Sequence, residues 1–115
     1  MSNHTETNWV DICNVNDIVP NTGRCALFNN EQVAIFRINY HGNDEIYAVH
    51  NFDPFSKANV LARGITGSVV DTLVVASPIY KQHFCLQTGK CLEDETALLK
   101  TYKARIVDNT VQLSA

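Results

Sequence analysis

The sequence lacks long apolar runs and an excess of basic residues. No apolar stretch approaches the roughly 20 residues of a membrane-spanning helix, and the polar start MSNHTETNW lacks the apolar segment of a secretory signal. Nine basic residues against 12 acidic ones give a formal charge of −3, so we do not expect the basic stripe of a nucleic-acid-binding surface. We therefore predict a cytoplasmic protein that binds neither membranes nor nucleic acids.

Closely spaced cysteine pairs are also missing. No Cys-x-x-Cys motif occurs, and the four cysteines are scattered at Cys13, Cys25, Cys85 and Cys91. In a reducing compartment we expect free thiols that pack as small hydrophobic groups. A Cys85–Cys91 disulfide across a hairpin is a conceivable alternative that the predicted compartment disfavours. His83 and Cys85 share one face of a predicted strand, and with Cys91 or His50 they suggest a displaced metal site, but their spacing is not that of a standard one.

No catalytic motif is recognisable in the chain. The sequence has neither a GxSxG motif nor a Gly-rich phosphate loop. His41 and His50 stand near Asp44 and Asp53 along the chain, but nearness in sequence alone is a weak indication of a catalytic pair. We predict no catalytic residues in this chain.

Short strand-like runs separated by turn residues make up most of the sequence. A chain of 115 residues with 45% hydrophobic residues suits one domain with one core. No long amphipathic helix is present, so we predict an all-β fold after a polar tail at 1–8, with a single domain at 9–115. The predicted strands are 9–13, 24–28, 32–39, 45–50, 68–71, 73–77, 80–86, 103–107 and 110–113. Asn29-Asn30 and Asp108-Asn109 are predicted hairpin turns, because these residues tolerate positive φ.

Two loops stand out between these strands. The runs 45–50 and 73–77 each lead into a loop with a proline near its start, Pro54 and Pro78. The first loop, 51–67, is long for a small domain, and such loops are usually functional. The second returns as the predicted strand 80–86, in which Phe84 and Leu86 should face inward. We interpret the chain as a scaffold that presents the two loops side by side.

The second loop contains the pattern P-x5-F-x-L-x-T-G-x-C-L over residues 78–92, which resembles the Rieske-type [2Fe–2S] domain. The resemblance implies an antiparallel β-sandwich or barrel with a small two-loop subdomain, here 51–92. In that family, Cys-x-His on the first loop and Cys-x-x-His on the second hold the two irons. The corresponding positions here are Asp53, Phe55, Ser77 and Tyr80. None supplies thiolate or imidazole, so we expect no cluster, and we expect Phe55, Ile79 and Tyr80 to fill the space between the loops.

The chain length and the loss of all four ligands resemble one branch of this family, the small subunits of cytoplasmic NAD(P)H-dependent nitrite reductases. The resemblance runs from Trp9 to Leu113. It implies a non-catalytic subunit that supports a large subunit during nitrate assimilation. That large subunit would carry FAD, an iron–sulfur cluster and sirohaem, and would reduce nitrite to ammonium with six electrons. This chain would hold none of these cofactors.

Basic residues gather in or beside the two loops, at Lys57, Arg63, Lys81 and Lys90, around apolar residues. An apolar centre with a polar rim is typical of a protein docking face. We predict that the loop tips bind the large subunit. The docking candidates are Phe52, Pro54, Phe55, Ile79, Lys57, Arg63 and Lys81.

Two alternatives remain from the sequence. The first is a Rieske-type ferredoxin that passes electrons to an oxygenase, which would require iron and acid-labile sulfide in the purified protein. The second is a free-standing binding module with another partner, which would not co-purify with a flavin- and sirohaem-containing polypeptide. Of the functional hypotheses, a stand-alone enzyme is the least expected.

Overall fold

The computed structural model describes residues 8–40 and 42–114; His41 and nearly all of the predicted polar tail lie outside these ranges. Within them the chain forms eleven strands and two short 3-10 turns, Val15–Asp17 and Leu61–Arg63. The strands are β1 (Val10–Asn14), β2 (Thr22–Phe28), β3 (Glu31–Tyr40), β4 (Asn43–His50), β5 (Phe52–Asp53), β6 (Ala58–Asn59), β7 (Ile65–Val69), β8 (Thr72–Ala76), β9 (His83–Cys85), β10 (Thr101–Val107) and β11 (Thr110–Ser114). Neither helical turn is long and apolar enough to cross a membrane.

The strands form three antiparallel sheets. The large sheet has six strands in the order β1-β11-β10-β4-β3-β2, β5 pairs with β6, and a small sheet has the order β7-β8-β9. Every pairing is antiparallel. The predicted all-β antiparallel architecture is therefore confirmed. The predicted division into a tail, a domain and a 51–92 subdomain stays a prediction.

The two predicted hairpin turns are confirmed in the large sheet. Asn29 and Asn30 connect β2 to β3 with φ of 51° and 62°. Asp108 and Asn109 connect β10 to β11 with φ of 50° and 66°. Two-residue hairpins need left-handed backbone at both turn positions, and Asn and Asp adopt it at low cost.

The predicted bounds are least accurate around the loops. The first predicted loop, 51–67, contains β5, β6, a 3-10 turn and the start of β7. The predicted strand 68–71 is shifted, because the turn before β8 lies on Val70 and Asp71, which have φ of 48° and 64°. The predicted strand 80–86 is wrong except for His83–Cys85, because Lys81 donates its backbone N–H to the Ser77 carbonyl at 3.0 Å and closes a turn.

Strand β3 is buried on both faces and joins two core clusters. Val33 and Ile35 pack into the first cluster with side chains of β4, β10 and β11. Ala34, Phe36 and Ile38 pack into the second cluster, which also contains Val75 and Phe84 of the small sheet. Phe84 and Leu86 lie in this second cluster at 0% and 2% exposure, as predicted. The two-loop region is thus anchored on the large sheet through apolar contacts.

Candidate functional site

The two loops adopt the same turn and lie side by side. We call residues 53–57 loop 1 and residues 77–81 loop 2. Each turn closes through a hydrogen bond from the fifth residue to the first, Lys57 N–H to the Asp53 carbonyl at 2.8 Å and Lys81 N–H to the Ser77 carbonyl at 3.0 Å. Both lysines are left-handed, with φ of 61° and 65°, and a proline is second in each turn. The loops are therefore structurally equivalent.

The first residues of the two loops are buried and bonded to each other. Asp53 and Ser77 are 0% and 1% exposed, and the Ser77 hydroxyl donates to Asp53 Oδ2 at 2.5 Å. The same carboxylate accepts hydrogen bonds from the Ser56 hydroxyl at 2.9 Å and the Phe55 N–H at 2.9 Å. We call the Asp53–Ser77 hydrogen bond the loop clasp. It connects two turns that are 24 residues apart in the chain.

The loop clasp favours an ionised carboxylate. Burial alone raises the pKa of Asp53, but the hydrogen bonds from Ser77, Phe55 and Ser56 outweigh it and bring the pKa below its usual value. Hydrogen bonds to the charged form stabilise that form. Asp53 is therefore a buried anion at neutral pH, and the Ser77 hydroxyl is the donor.

The predicted apolar filling between the loops is only partly correct. The Phe55 ring lies 6.0 Å from the Phe84 ring and anchors loop 1 to the second core cluster. Ile79 and Tyr80, however, are 46% and 60% exposed. The prediction fails for them because the buried contact between the loops is the polar clasp, and the closed turn of loop 2 leaves these side chains on the outside.

The residues at the four cluster positions do not fit an iron–sulfur cluster. Such a cluster needs thiolate on one iron and, in Rieske centres, imidazole on the other. The Asp53 and Ser77 oxygens are hydrogen-bonded to each other, Phe55 packs on the core and Tyr80 points outward. The donor set at these four positions offers neither sulfur nor nitrogen.

The residues suggested for a displaced metal site come together only in part, through Glu93. His83 Nδ1 contacts Glu93 Oε2 at 2.6 Å, and Cys91 Sγ donates to Glu93 Oε1 at 3.6 Å. Phe84 pairs with Cys91, so Cys85 and Cys91 point to opposite sides of this strand pair; the same geometry excludes a disulfide, and the thiols are free. Within the described parts of the chain, no three His, Cys, Asp or Glu side chains are grouped to hold a metal ion.

Of the histidine and aspartate pairs considered from the sequence, the described residues contain His50 with Asp53, and these two have different partners. The His50 and Phe52 ring centroids are 6.2 Å apart, with the rings tilted by 36°, and Asp53 accepts hydrogen bonds from loop residues. His41 lies outside the described residues.

The predicted docking candidates divide into exposed and half-buried groups. Lys57, Arg63, Ile79 and Lys81 are exposed, whereas Phe52, Pro54 and Phe55 are half-buried. Arg63 lies beside loop 2, because its neighbour Gly64 packs so closely on the end of β8 that an added Cβ would lie 2.4 Å from the Ala76 carbonyl oxygen. The backbone carbonyl of Lys90 accepts a hydrogen bond from the Cys85 N–H, at the end of β9 that is away from loop 2. Lys90 therefore lies apart from the docking candidates.

Tyr80 is an exposed loop residue that the sequence reasoning did not include among the docking candidates. The sequence predicts a strand at this residue, but the Ser77-Pro78 start of loop 2 is a turn pattern that indicates exposure. We group Tyr80 with the exposed candidates Lys57, Arg63, Ile79 and Lys81 as the tip surface, which has two exposed apolar side chains and three positive charges.

Comparisons with known proteins agree on the family. Residues 8–114 match the Rieske-like [2Fe-2S] domain family. The chain is 50% identical over 105 residues to the nitrite reductase (NADH) small subunit of Escherichia coli K12, covering 91% of this chain and 95% of that one. The crystal structure of an NADH-dependent nitrite reductase small subunit from Mycobacterium tuberculosis has a TM-score of 0.88 at 35% identity, covering 96% of both chains.

One further relative is a large subunit. The chain is 31% identical over 103 residues to the nitrite reductase [NAD(P)H] large subunit of Klebsiella oxytoca, matching 90% of this chain but only 10% of that protein. In that protein a segment similar to most of this chain belongs to the large polypeptide itself.

Proposed function

The chain belongs to the family of nitrite reductase (NADH) small subunits, which has the Rieske-like fold, and from this membership we propose a non-catalytic, partner-binding role in nitrate assimilation. The chain acts in the cytoplasm and supports a large subunit that reduces nitrite to ammonium. The FAD, iron–sulfur cluster and sirohaem of the reaction are held by that large subunit.

The observation that carries this proposal is the loop clasp at the cluster positions. Both former ligand positions, Asp53 and Ser77, keep the loops together through oxygen atoms that are unsuited to a cluster. The loops keep their arrangement without the chemistry of electron transfer, which supports recognition as their purpose. The ferredoxin alternative requires donors that these positions do not supply.

The tip surface is the proposed docking face. Ile79 and Tyr80 supply exposed apolar area, and Lys57, Arg63 and Lys81 supply positive charge around them. Interfaces of this kind have a desolvated apolar core and a polar rim, so the complementary face on the large subunit should be apolar with acidic residues at its edge. The Klebsiella protein supports this partner, because it joins the two parts in one polypeptide.

Co-purification with the large subunit tests the proposal. We would co-express the two subunits and capture the complex through a tag on this chain, with Ile79→Asp as the test variant. Phe55→Asp is unsuitable, because Phe55 packs on the core. Val107→Asp is the matched control, since Val107 is 39% exposed against 46% for Ile79 and lies at the end of β10 away from the loops.

We expect the wild-type chain and Val107→Asp to retain a flavin- and sirohaem-containing polypeptide, and Ile79→Asp to lose it while remaining folded. Equal capture by all three would reject the tip surface as the docking face. No capture by any of them would reject the subunit role itself. Iron and acid-labile sulfide in the isolated chain would instead restore the ferredoxin alternative.

A further inference from the structure

We propose that Asp53 and Ser77 are positioning residues for partner recognition: the loop clasp sets the spacing of the two loop tips and so arranges the tip surface that the large subunit recognises. This inference rests on the proposed function, which concerns the tip residues themselves. It assigns a role to two buried groups that the docking face does not include.

The clasp connects equivalent points of two equivalent turns. Asp53 and Ser77 are each the first residue of their loop. The backbone carbonyl of each accepts a hydrogen bond from the backbone N–H of the lysine that ends the loop. The position of Lys57 therefore follows from that of Asp53, and the position of Lys81 follows from that of Ser77. A change in the distance between the two first residues changes the distance between the two positive charges.

Hydrogen bonding between the two loops is confined to the clasp in the part of the chain that the structure describes. Loop 1 is anchored by the contact of the Phe55 ring with the Phe84 ring and by the pairing of β5 with β6. Loop 2 is closed on itself by the Ser77 N–H, which donates to the Gln82 carbonyl at 2.9 Å. Among the described residues, the clasp is the only hydrogen bond between residues 53–57 and 77–81.

The clasp occupies the positions from which metal would join the loops in a Rieske-type domain. Cysteines at these two positions would share one iron, and that iron would link the loops. Here a buried carboxylate and a hydroxyl make the link at the same positions. The carboxylate is satisfied by three donors, of which Ser77 alone belongs to loop 2, so the link between the loops depends on the Ser77 hydroxyl.

The first test compares two serines that donate to the same carboxylate oxygen. Ser77→Ala removes the bond between the loops, whereas Ser56→Ala removes a bond of 2.9 Å within loop 1. Both variants leave every tip-surface side chain intact and delete one donor to Asp53. We would measure the Kd of each variant for the purified large subunit, alongside the wild-type chain.

We expect Ser77→Ala to weaken binding about tenfold or more, because it removes a charged hydrogen bond that fixes the loop spacing. We expect Ser56→Ala to weaken binding less than about threefold, because its hydrogen bond lies within loop 1. Equal affinities of wild type and Ser77→Ala would overturn the positioning role while leaving the proposed function in place. Absence of binding by the wild-type chain would overturn the proposed function instead.

A covalent link provides a rescue that a general stability effect would not reproduce. The double variant Asp53→Cys/Ser77→Cys replaces the clasp by a covalent link that is one atom shorter, because Sγ of a cysteine at position 53 stands one bond nearer the backbone than the Asp53 Oδ2 that now contacts Ser77. We expect the oxidised form, with the disulfide verified by mass spectrometry, to bind within about threefold of wild type, and the reduced form to bind about tenfold more weakly. Oxidised protein that is folded and binds no better than the reduced form would overturn the inference. Iron analysis checks that the new thiols hold no metal.

Discussion

The large sheet and the two-loop region are stabilised by different means. The large sheet buries apolar side chains on both faces of β3, and its hairpins place Asn or Asp at the left-handed positions. The two-loop region depends on a buried carboxylate, and its left-handed positions include Lys57, Val70 and Lys81. The left-handed positions of the sheet hairpins hold Asn or Asp, which tolerate this backbone, whereas those within residues 51–92 include lysine and valine, which tolerate it less well.

This difference indicates where the protein gives up stability. A non-glycine residue in the left-handed region costs on the order of 1–3 kcal/mol, and such residues cluster at functional sites. Lys57 and Lys81 combine that cost with exposed charge at the tip surface. The apolar packing of the large sheet therefore offsets the destabilising backbone conformations at the loop tips.

The largest expected effect tests the stability of the sheet. Phe36 on β3 is 0% exposed and lies in the second core cluster, so Phe36→Ala should reduce the free energy of unfolding by about 3–5 kcal/mol. Leu27→Ala on the edge strand β2 is the control, because Leu27 is 69% exposed and should change it by about 0.5 kcal/mol or less. Urea denaturation measures both. Similar losses for the two variants would contradict the burial difference on which the comparison depends.

An intermediate effect is expected at the loop clasp. Asp53→Ala leaves the Ser77 and Ser56 hydroxyls and the Phe55 N–H without their acceptor, which should cost about 2–3 kcal/mol. We expect amide hydrogen exchange to accelerate in residues 53–57 and 77–81 while the β3 and β4 amides keep their protection. Uniform acceleration across the large sheet would show that the two regions are not separately stabilised.

The clasp should also give the loop region its own pH dependence. The pKa of Asp53 is lower in the folded protein than its usual value, so its contribution to stability is fully present above about pH 4, near the unfolded pKa. It is lost as the pH falls through the lower folded value. We therefore expect the difference in Tm between wild type and Asp53→Asn to stay constant from about pH 7 to 5 and to shrink below about pH 4.

Thermal unfolding of the two proteins across this range measures that difference. Asp44→Asn is a useful comparison, because Asp44 pairs with Arg37 on the large sheet at 2.8 Å and its pKa is also lowered, chiefly by this hydrogen bond. Hydrogen exchange of the loop amides distinguishes the two sites: they should respond to Asp53→Asn and not to Asp44→Asn. A Tm difference for Asp53→Asn that grows on acidification would have the wrong sign for this mechanism.

The large sheet was predictable because its features are local in sequence. Asn29-Asn30 and Asp108-Asn109 have turn chemistry that needs no tertiary context, and both turns are present. The predicted strand 32–39 likewise corresponds to β3, whose observed bounds are Glu31–Tyr40. Adjacent residues decide such elements, so the sequence alone is sufficient.

The loop region was less predictable because tertiary contacts decide it. The motif located Asp53 and Ser77 at the former ligand positions, but only the folded chain shows that these residues are in contact. Val70 is unfavourable at positive φ, so the predicted strand 68–71 includes both residues of the observed turn, Val70 and Asp71. Sequence rules fail at the sites where the chain departs from low-cost choices, which is expected of functional regions.

The smallest expected change in the free energy of unfolding concerns the left-handed backbone at the loop tips, which we compare with the affinity for the large subunit. Lys81→Gly relieves the left-handed backbone at φ of 65° and should raise the free energy of unfolding by about 0.5–1 kcal/mol. It also removes a positive charge from the tip surface, so affinity for the large subunit should fall. Val70→Gly is the matched control, because its φ is 48° and its turn lies at the end of β8 away from loop 2; it should stabilise without changing affinity. If Lys81→Gly stabilised the chain and bound as well as wild type, the strain at the tip would have no role in recognition, and the loop region would differ from the sheet only in stability.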